Sequence, residues 1–128
     1  MKQTAPTEVY NQQLFDIIPD GLQSIIEVGS GSGVLAKAIK LRSPATQYIG
    51  IELEPEYAIL SSRYCDLVLT DNIETPSDEL RTYIQTASAL IFSDVFEHLY
   101  NPWQTLKFLR SEISSECAIY ASIPNIQH

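Results

Sequence analysis

The feature that most limits what this chain can fold into is the run Ile25-Ile26-Glu27-Val28-Gly29-Ser30-Gly31-Ser32-Gly33. A short apolar stretch leads into three glycines that alternate with two serines. An apolar run of this length fits a strand covered on both faces, as in a parallel sheet. Glycine permits positive φ and lets backbone approach a ligand closely. The segment Val34-Leu35-Ala36-Lys37-Ala38-Ile39-Lys40 follows at once and predicts a helix. The first amides of a helix have no partner within it and can face a ligand. Strand, glycine turn and helix in this order predict a ligand cradle at the first strand of an α/β sheet.

The glycine spacing narrows the ligand. A dinucleotide fingerprint reads G-x-G-x-x-G and sets a pyrophosphate on the helix N-terminus. Here Gly33 comes one place early and Val34 stands where the last glycine belongs. Glu27, two residues before Gly29, would repel a pyrophosphate and suits a ligand carrying an amine or a positive charge. Net charge is −8, from sixteen acidic and eight basic residues. That balance argues against a nucleic-acid backbone as partner, which needs clustered Lys and Arg. A small-molecule substrate or a protein partner is expected instead. Residues Met1 to Pro6 lack the apolar run of a signal peptide. No segment reaches the roughly 18 apolar residues of a membrane helix. Cys65 and Cys117 stand far apart and read as free thiols in a reducing cytoplasm. His98 and His128 are the only histidines, so no metal-ligand cluster is expected.

The 128 residues read as one domain, 1–128, without repeats or linkers. Apolar positions Val9, Tyr10, Leu14, Phe15, Ile17 and Ile18 predict an amphipathic helix over about 7–18, stopped by Pro19-Asp20-Gly21. Strands are predicted at about 23–28, 47–51, 66–69, 89–93 and 117–122. Between them lie helices at about 33–42, 55–63 (with Pro55 in the first turn), 77–85 (with Ser77 as N-cap) and from 102 to about 113. Pro124-Asn125 closes the last strand. Such alternation implies an α/β fold: a three-layer, doubly wound, Rossmann-like sheet, mostly parallel, of about five strands. Ligands of doubly wound sheets bind at the carboxyl ends of the strands, where strand order reverses. The strand ends here are Glu27 with its glycine loop, Glu52, Asp71-Asn72 and Ser93-Asp94. Carboxylates converging on one crevice suit a cationic or polyhydroxyl ligand. Taken singly, Glu52 is a cap for the turn to Pro55 and Asp71 an ordinary Asx turn.

The run from Glu27 to Gly33 resembles motif I of the class I S-adenosylmethionine-dependent methyltransferases, E-V-G-x-G-x-G. The run Asp94-Val95-Phe96-Glu97-His98-Leu99-Tyr100-Asn101-Pro102 resembles the D-V-L-E-H-L-x-D-P stretch of members that methylate small molecules. Ser122-Ile123-Pro124-Asn125 resembles their S-x-P-N turn. The resemblance implies the methyltransferase fold, S-adenosylmethionine as cofactor and S-adenosylhomocysteine as product. It implies a cofactor site made by Glu27, Gly29, Ser30, Gly31, Gly33, Glu52, Leu53, Asp71, Asn72, Ile73, Ser93 and Asp94. In it Glu52 accepts both ribose hydroxyls and Asp71 the adenine amine. The amide after Asp71 meets a ring nitrogen, and Leu53 and Ile73 sandwich the adenine. His98 is the implied base for an O-, N- or C-nucleophile, oriented by Glu97, because imidazole titrates near neutrality. Tyr100 and Trp103, aromatics at the start of a helix, read first as packing and otherwise as the lining of an acceptor pocket. Members of the family continue past the fifth strand with a helix and a two-stranded hairpin. The expected fold therefore lacks the usual C-terminal strands and leaves the fifth strand as a bare edge, which a homodimer would cover. The alternative is a non-catalytic cofactor-binding or interaction module of the same fold. A nicotinamide dehydrogenase is disfavoured by Val34 and Glu27.

Overall fold

The computed structural model describes residues 9–122. Their elements run α1 (Gln12–Ile17), β1 (Ser24–Val28), α2 (Val34–Arg42), β2 (Gln47–Ile51) and α3 (Pro55–Ser61). Then follow β3 (Leu67–Leu69), α4 (Asp78–Thr86), β4 (Ala89–Ser93), a 3₁₀ turn (Phe96–His98), α5 (Pro102–Glu112) and β5 (Ala118–Ser122). Side-chain caps set three helix starts. Asn11, Ser77 and Asn101 each accept a hydrogen bond from the backbone N–H three residues on. The Asn11 cap explains why α1 begins at Gln12 and not near residue 7. Val9 and Tyr10 lie before the helix, and the turn at Pro124-Asn125 falls outside the described residues.

All strands are parallel, in the order β3-β2-β1-β4-β5. The order reverses between β1 and β4, so the switch point lies beside the glycine loop. Each face of the sheet has its own core because strand side chains alternate. Ile25, Tyr48, Ala89 and Ile91 pack with Leu14 of α1 and with Leu35, Ala36 and Ile39 of α2. Ile26, Val28, Ile49, Ile51, Leu90 and Phe92 pack with Leu80 and Ile84 of α4 and Leu109 of α5. The five-stranded, three-layer, doubly wound sheet is the one the sequence implied. Its outer edges are β3 and β5. Among the described residues no helix is long and apolar enough to cross a membrane. Cys65 and Cys117 are both free.

Candidate functional site

The glycine loop is pinned on two sides and open on a third. The N–H groups of Gly29 and Ser30 both donate to Ile51 O, at 2.8 and 3.2 Å, which ties the loop to the end of β2. A Cβ built on Gly29 would stand 2.5 Å from Val95 Cγ2, so the loop also presses against the turn after β4. Gly33 is buried as the N-cap of α2, and its N–H donates to Ser30 O. At Gly31 a Cβ would meet nothing within 4 Å. Backbone exposed beside open space, with no side chain in the way, is what a closely approaching ligand requires.

Glu52 completes this cradle. Its Oε1 accepts from Gly31 N–H at 2.9 Å and its Oε2 from Glu54 N–H at 3.0 Å. The carboxylate thus ties the glycine loop to the turn before α3, and it is 3% exposed.

Glu27 occupies a different place from the open rim that the sequence suggested. It points into the core under the loop, where Tyr48 Oη donates to Oε1 at 2.7 Å and Ser93 Oγ to Oε2 at 3.0 Å. Burial pushes its carboxyl from the ordinary 4.5 up to about 7. The two hydrogen bonds pull the other way, and the charge of Glu52 adds to the rise. Burial likewise drives the Tyr48 hydroxyl well above its usual range. Register explains the contact: Tyr48 pairs with Ile25 on β1, two residues below Glu27 on the same face.

Ser30 also turns inward. Its Oγ accepts from Ser61 Oγ at 2.7 Å, and Ser61 Oγ lies 3.4 Å from Cys65 Sγ. This chain of small polar groups fits because β2 carries a glycine opposite Glu27. A Cβ on Gly50 would stand 2.8 Å from Ser30 Oγ and 3.1 Å from Cys65 Sγ. Gly50→Ala therefore overpacks the support of the loop, and urea titration should show a loss of about 1–3 kcal/mol. An unchanged midpoint would contradict that reading. Cys65 is pushed up to about 12, chiefly by burial, and is an inert thiol.

The remaining predicted residues are held by their neighbours. Asp71 accepts from the N–H groups of Asn72 and Ser77 and from Ser77 Oγ, so it braces the start of α4. Asn72 Oδ1 accepts from Glu74 N–H at 2.9 Å. Ile73 is 4% exposed within the α4–α5 core, whereas Leu53 is 62% exposed beside Glu52. Asp94 has φ +53. Its N–H donates to Ser122 Oγ, which in turn donates to Asp94 Oδ1, both at 2.9 Å. That exchange holds the end of β4 to the end of β5. Glu97 and His98 lie in the 3₁₀ turn, with Glu97 Oε1 3.4 Å from His98 Nε2. Stacking of Phe96 on Phe92 at 4.5 Å fixes the turn to β4. Tyr100 and Trp103 are almost fully exposed.

The carboxylates thus share one end of the sheet, but each is engaged by local donors and Glu27 is withdrawn beneath the loop. Sequence reasoning passed over Tyr48, Gly50, Ser61 and Glu74. The first two carried a signal: a tyrosine and a glycine interrupt an otherwise aliphatic buried strand. A groove of about 510 Å³ on α1 and α2, bordered by Tyr10, Phe15, Lys37 and Leu41, contains none of these residues.

No protein-family model matches the sequence, and no curated protein matches it. Solved structures do share the architecture. One is the plantazolicin methyltransferase BpumL in complex with a pentazolic desmethylPZN analog and SAH. It superposes with a TM-score of 0.69 at 20% identity, over 81% of this chain and 40% of that one. Coclaurine N-methyltransferase bound to N-methylheliamine and SAH gives 0.70 at 17% identity, over 94% and 38%. A complex of the Haloferax volcanii Trm112 methyltransferase activator with a putative methyltransferase gives 0.72 at 16% identity, over 88% and 50%. The chain has the methyltransferase fold. It spans half or less of the length of these methyltransferase structures. Within that fold the glycine loop, Glu52 and the turn after β4 stand together at the switch point.

Proposed function

We propose that this domain binds S-adenosylmethionine and transfers its methyl group to a small-molecule nucleophile. The observation that carries the reading is the contact of Glu52 with Gly31 beside open space, at the switch point of a methyltransferase fold. The cofactor supplies a methyl group on a positively charged sulfur. The glycine loop offers backbone at Gly31, and the carboxylate of Glu52 accepts the hydroxyls of a ribose. Two structural neighbours were solved with SAH and a second small molecule, a desmethylPZN analog in one and N-methylheliamine in the other, which agrees with a small-molecule acceptor. With Glu97 beside Nε2, His98 keeps Nδ1 for the proton of an acceptor hydroxyl. The chain's other contribution is alignment of the two reactants.

Calorimetric titration with S-adenosylhomocysteine tests the cofactor. Glu52→Ala should weaken that binding by about 1.5–3 kcal/mol, because a charged acceptor is lost from a buried position. A change of a few tenths would retire the role of Glu52. Transfer of labelled methyl from the cofactor to a metabolite extract tests the enzyme. The second reading, a non-catalytic binding module, draws on the engagement of the rim carboxylates by donors within the chain. It predicts the same binding with no label transferred.

A further inference from the structure

β3 and β4 are separated in the sheet by β2 and β1, yet the loops that follow them meet through one side chain. Glu74, in the loop after β3, accepts through Oε2 from Tyr100 N–H at 3.0 Å and from Asn101 N–H at 3.3 Å. Both amides belong to the loop after β4, just before α5. The backbone that carries this carboxylate is itself held. Glu74 N–H donates to Asn72 Oδ1 at 2.9 Å, and Thr75 N–H donates to Asn72 O at 3.1 Å. Its charge sits at the start of α5, where the helix dipole favours an anion. At its near end the loop after β4 is anchored by the Asp94–Ser122 exchange and by the Phe92–Phe96 stack. Glu74 secures its far end. The span it bridges is the one beneath which the ends of β2 and β1 present Glu52 and the glycine loop.

We propose that Glu74 is a positioning residue that sets the separation of the two walls of the nucleoside crevice, 71–77 on one side and 94–101 on the other. The proposal rests on the cofactor reading above. It assigns Glu74 no contact with cofactor or acceptor. A carboxylate accepting two backbone N–H groups is the stronger kind of hydrogen-bond partner, and without it the two exposed amides turn to water and the loops lose their tie. Once that tie is cut, the wall carrying Glu97 and His98 swings independently of the wall carrying Asp71.

The test uses E74A, E74Q and E74D in the full chain, titrated at low temperature with S-adenosylhomocysteine and with adenosine. Near-UV dichroism confirms that each variant is folded. E74A should weaken both ligands by about tenfold, since the walls act on the nucleoside shared by the two. E74Q should stay within about twofold of the parent, because its amide oxygen accepts the same two N–H groups. E74D, one methylene short, should move in the direction of E74A and stands in for it if E74A does not fold. Equal affinity in E74A and the parent overturns the proposal, and so does an E74Q as weak as E74A. Hydrogen exchange separates this failure from failure of the cofactor reading. The Tyr100 and Asn101 amides should exchange at least about tenfold faster in E74A while β1 and β2 amides are unchanged. If the parent binds neither ligand, the cofactor reading falls. Faster exchange would then show a plain loop tie and overturn the crevice role as well.

Discussion

Gly29→Ala should destabilise the domain by about 2–4 kcal/mol, more than the other single changes considered at this site. Two costs add. Gly29 has φ +74, which an L-residue with a Cβ adopts at a cost of about 1–2 kcal/mol. The new methyl would also stand 2.5 Å from Val95 Cγ2. Val95 is β-branched, so its side chain has little rotameric freedom with which to yield. It also packs against the α4–α5 core. The clash therefore passes into the backbone of either the glycine loop or the turn that carries Glu97 and His98. Pairing the change with Val95→Ala removes the steric part and leaves the backbone part. A double-mutant cycle by urea unfolding should give a coupling of about 1–2 kcal/mol in favour of the pair. Strict additivity would show that the loop and the turn do not press on each other.

Glu27 should make stability fall as pH rises. Its carboxyl titrates at about 7 in the folded chain against the ordinary 4.5. Below pH 4.5 both folded and unfolded chains carry the proton, and the contribution is fully present. Between 4.5 and about 7 the unfolded chain releases it while the folded chain keeps it, so stability declines across that window. Above about 7 both are ionised and the decline stops. The integrated loss is about 3 kcal/mol. Other carboxylates shift in the opposite sense. Asp66 is held low by Lys40 and the Tyr48 amide, although its own partial burial works against them. The measurement that isolates Glu27 is therefore a difference. Glu27→Gln keeps the size of the side chain and an oxygen for Tyr48, and it does not titrate. The stability of Glu27→Gln relative to the parent should rise by about 3 kcal/mol from pH 4.5 to pH 8. A difference independent of pH would show that Glu27 is solvated.

Much of the fold was legible because the central strands β1, β2 and β4 are buried on both faces and read as largely apolar runs. Ile25-Ile26 and Leu90-Ile91-Phe92 are examples, each fully buried. Helix starts were legible where a side chain caps them, as at Ser77. The cap at Asn11 was missed, because Val9 and Tyr10 continue the apolar spacing backwards past the true start. The glycine loop was legible as a turn with positive φ. The roles of its serines were not, because alternation within a loop does not say which side chain points inward. Ser30 is buried by its bond to Ser61, thirty-one residues away.

The amino-acid order by itself determined the alternation of strands and helices, the glycine turn after β1 and the placing of acidic residues after successive strands. Those are local properties: apolar spacing, glycine's freedom at positive φ and the termination of strands. Only the tertiary structure decided which acid keeps its charge and which side it faces. Glu27 is drawn under the loop because β2 lies in register beside β1 and brings Tyr48 to it. Glu52 is fixed against Gly31, and Glu74 reaches the loop after β4, through contacts across 21 to 27 residues of chain. Desolvation depends on everything packed around a group, and no stretch of sequence contains that.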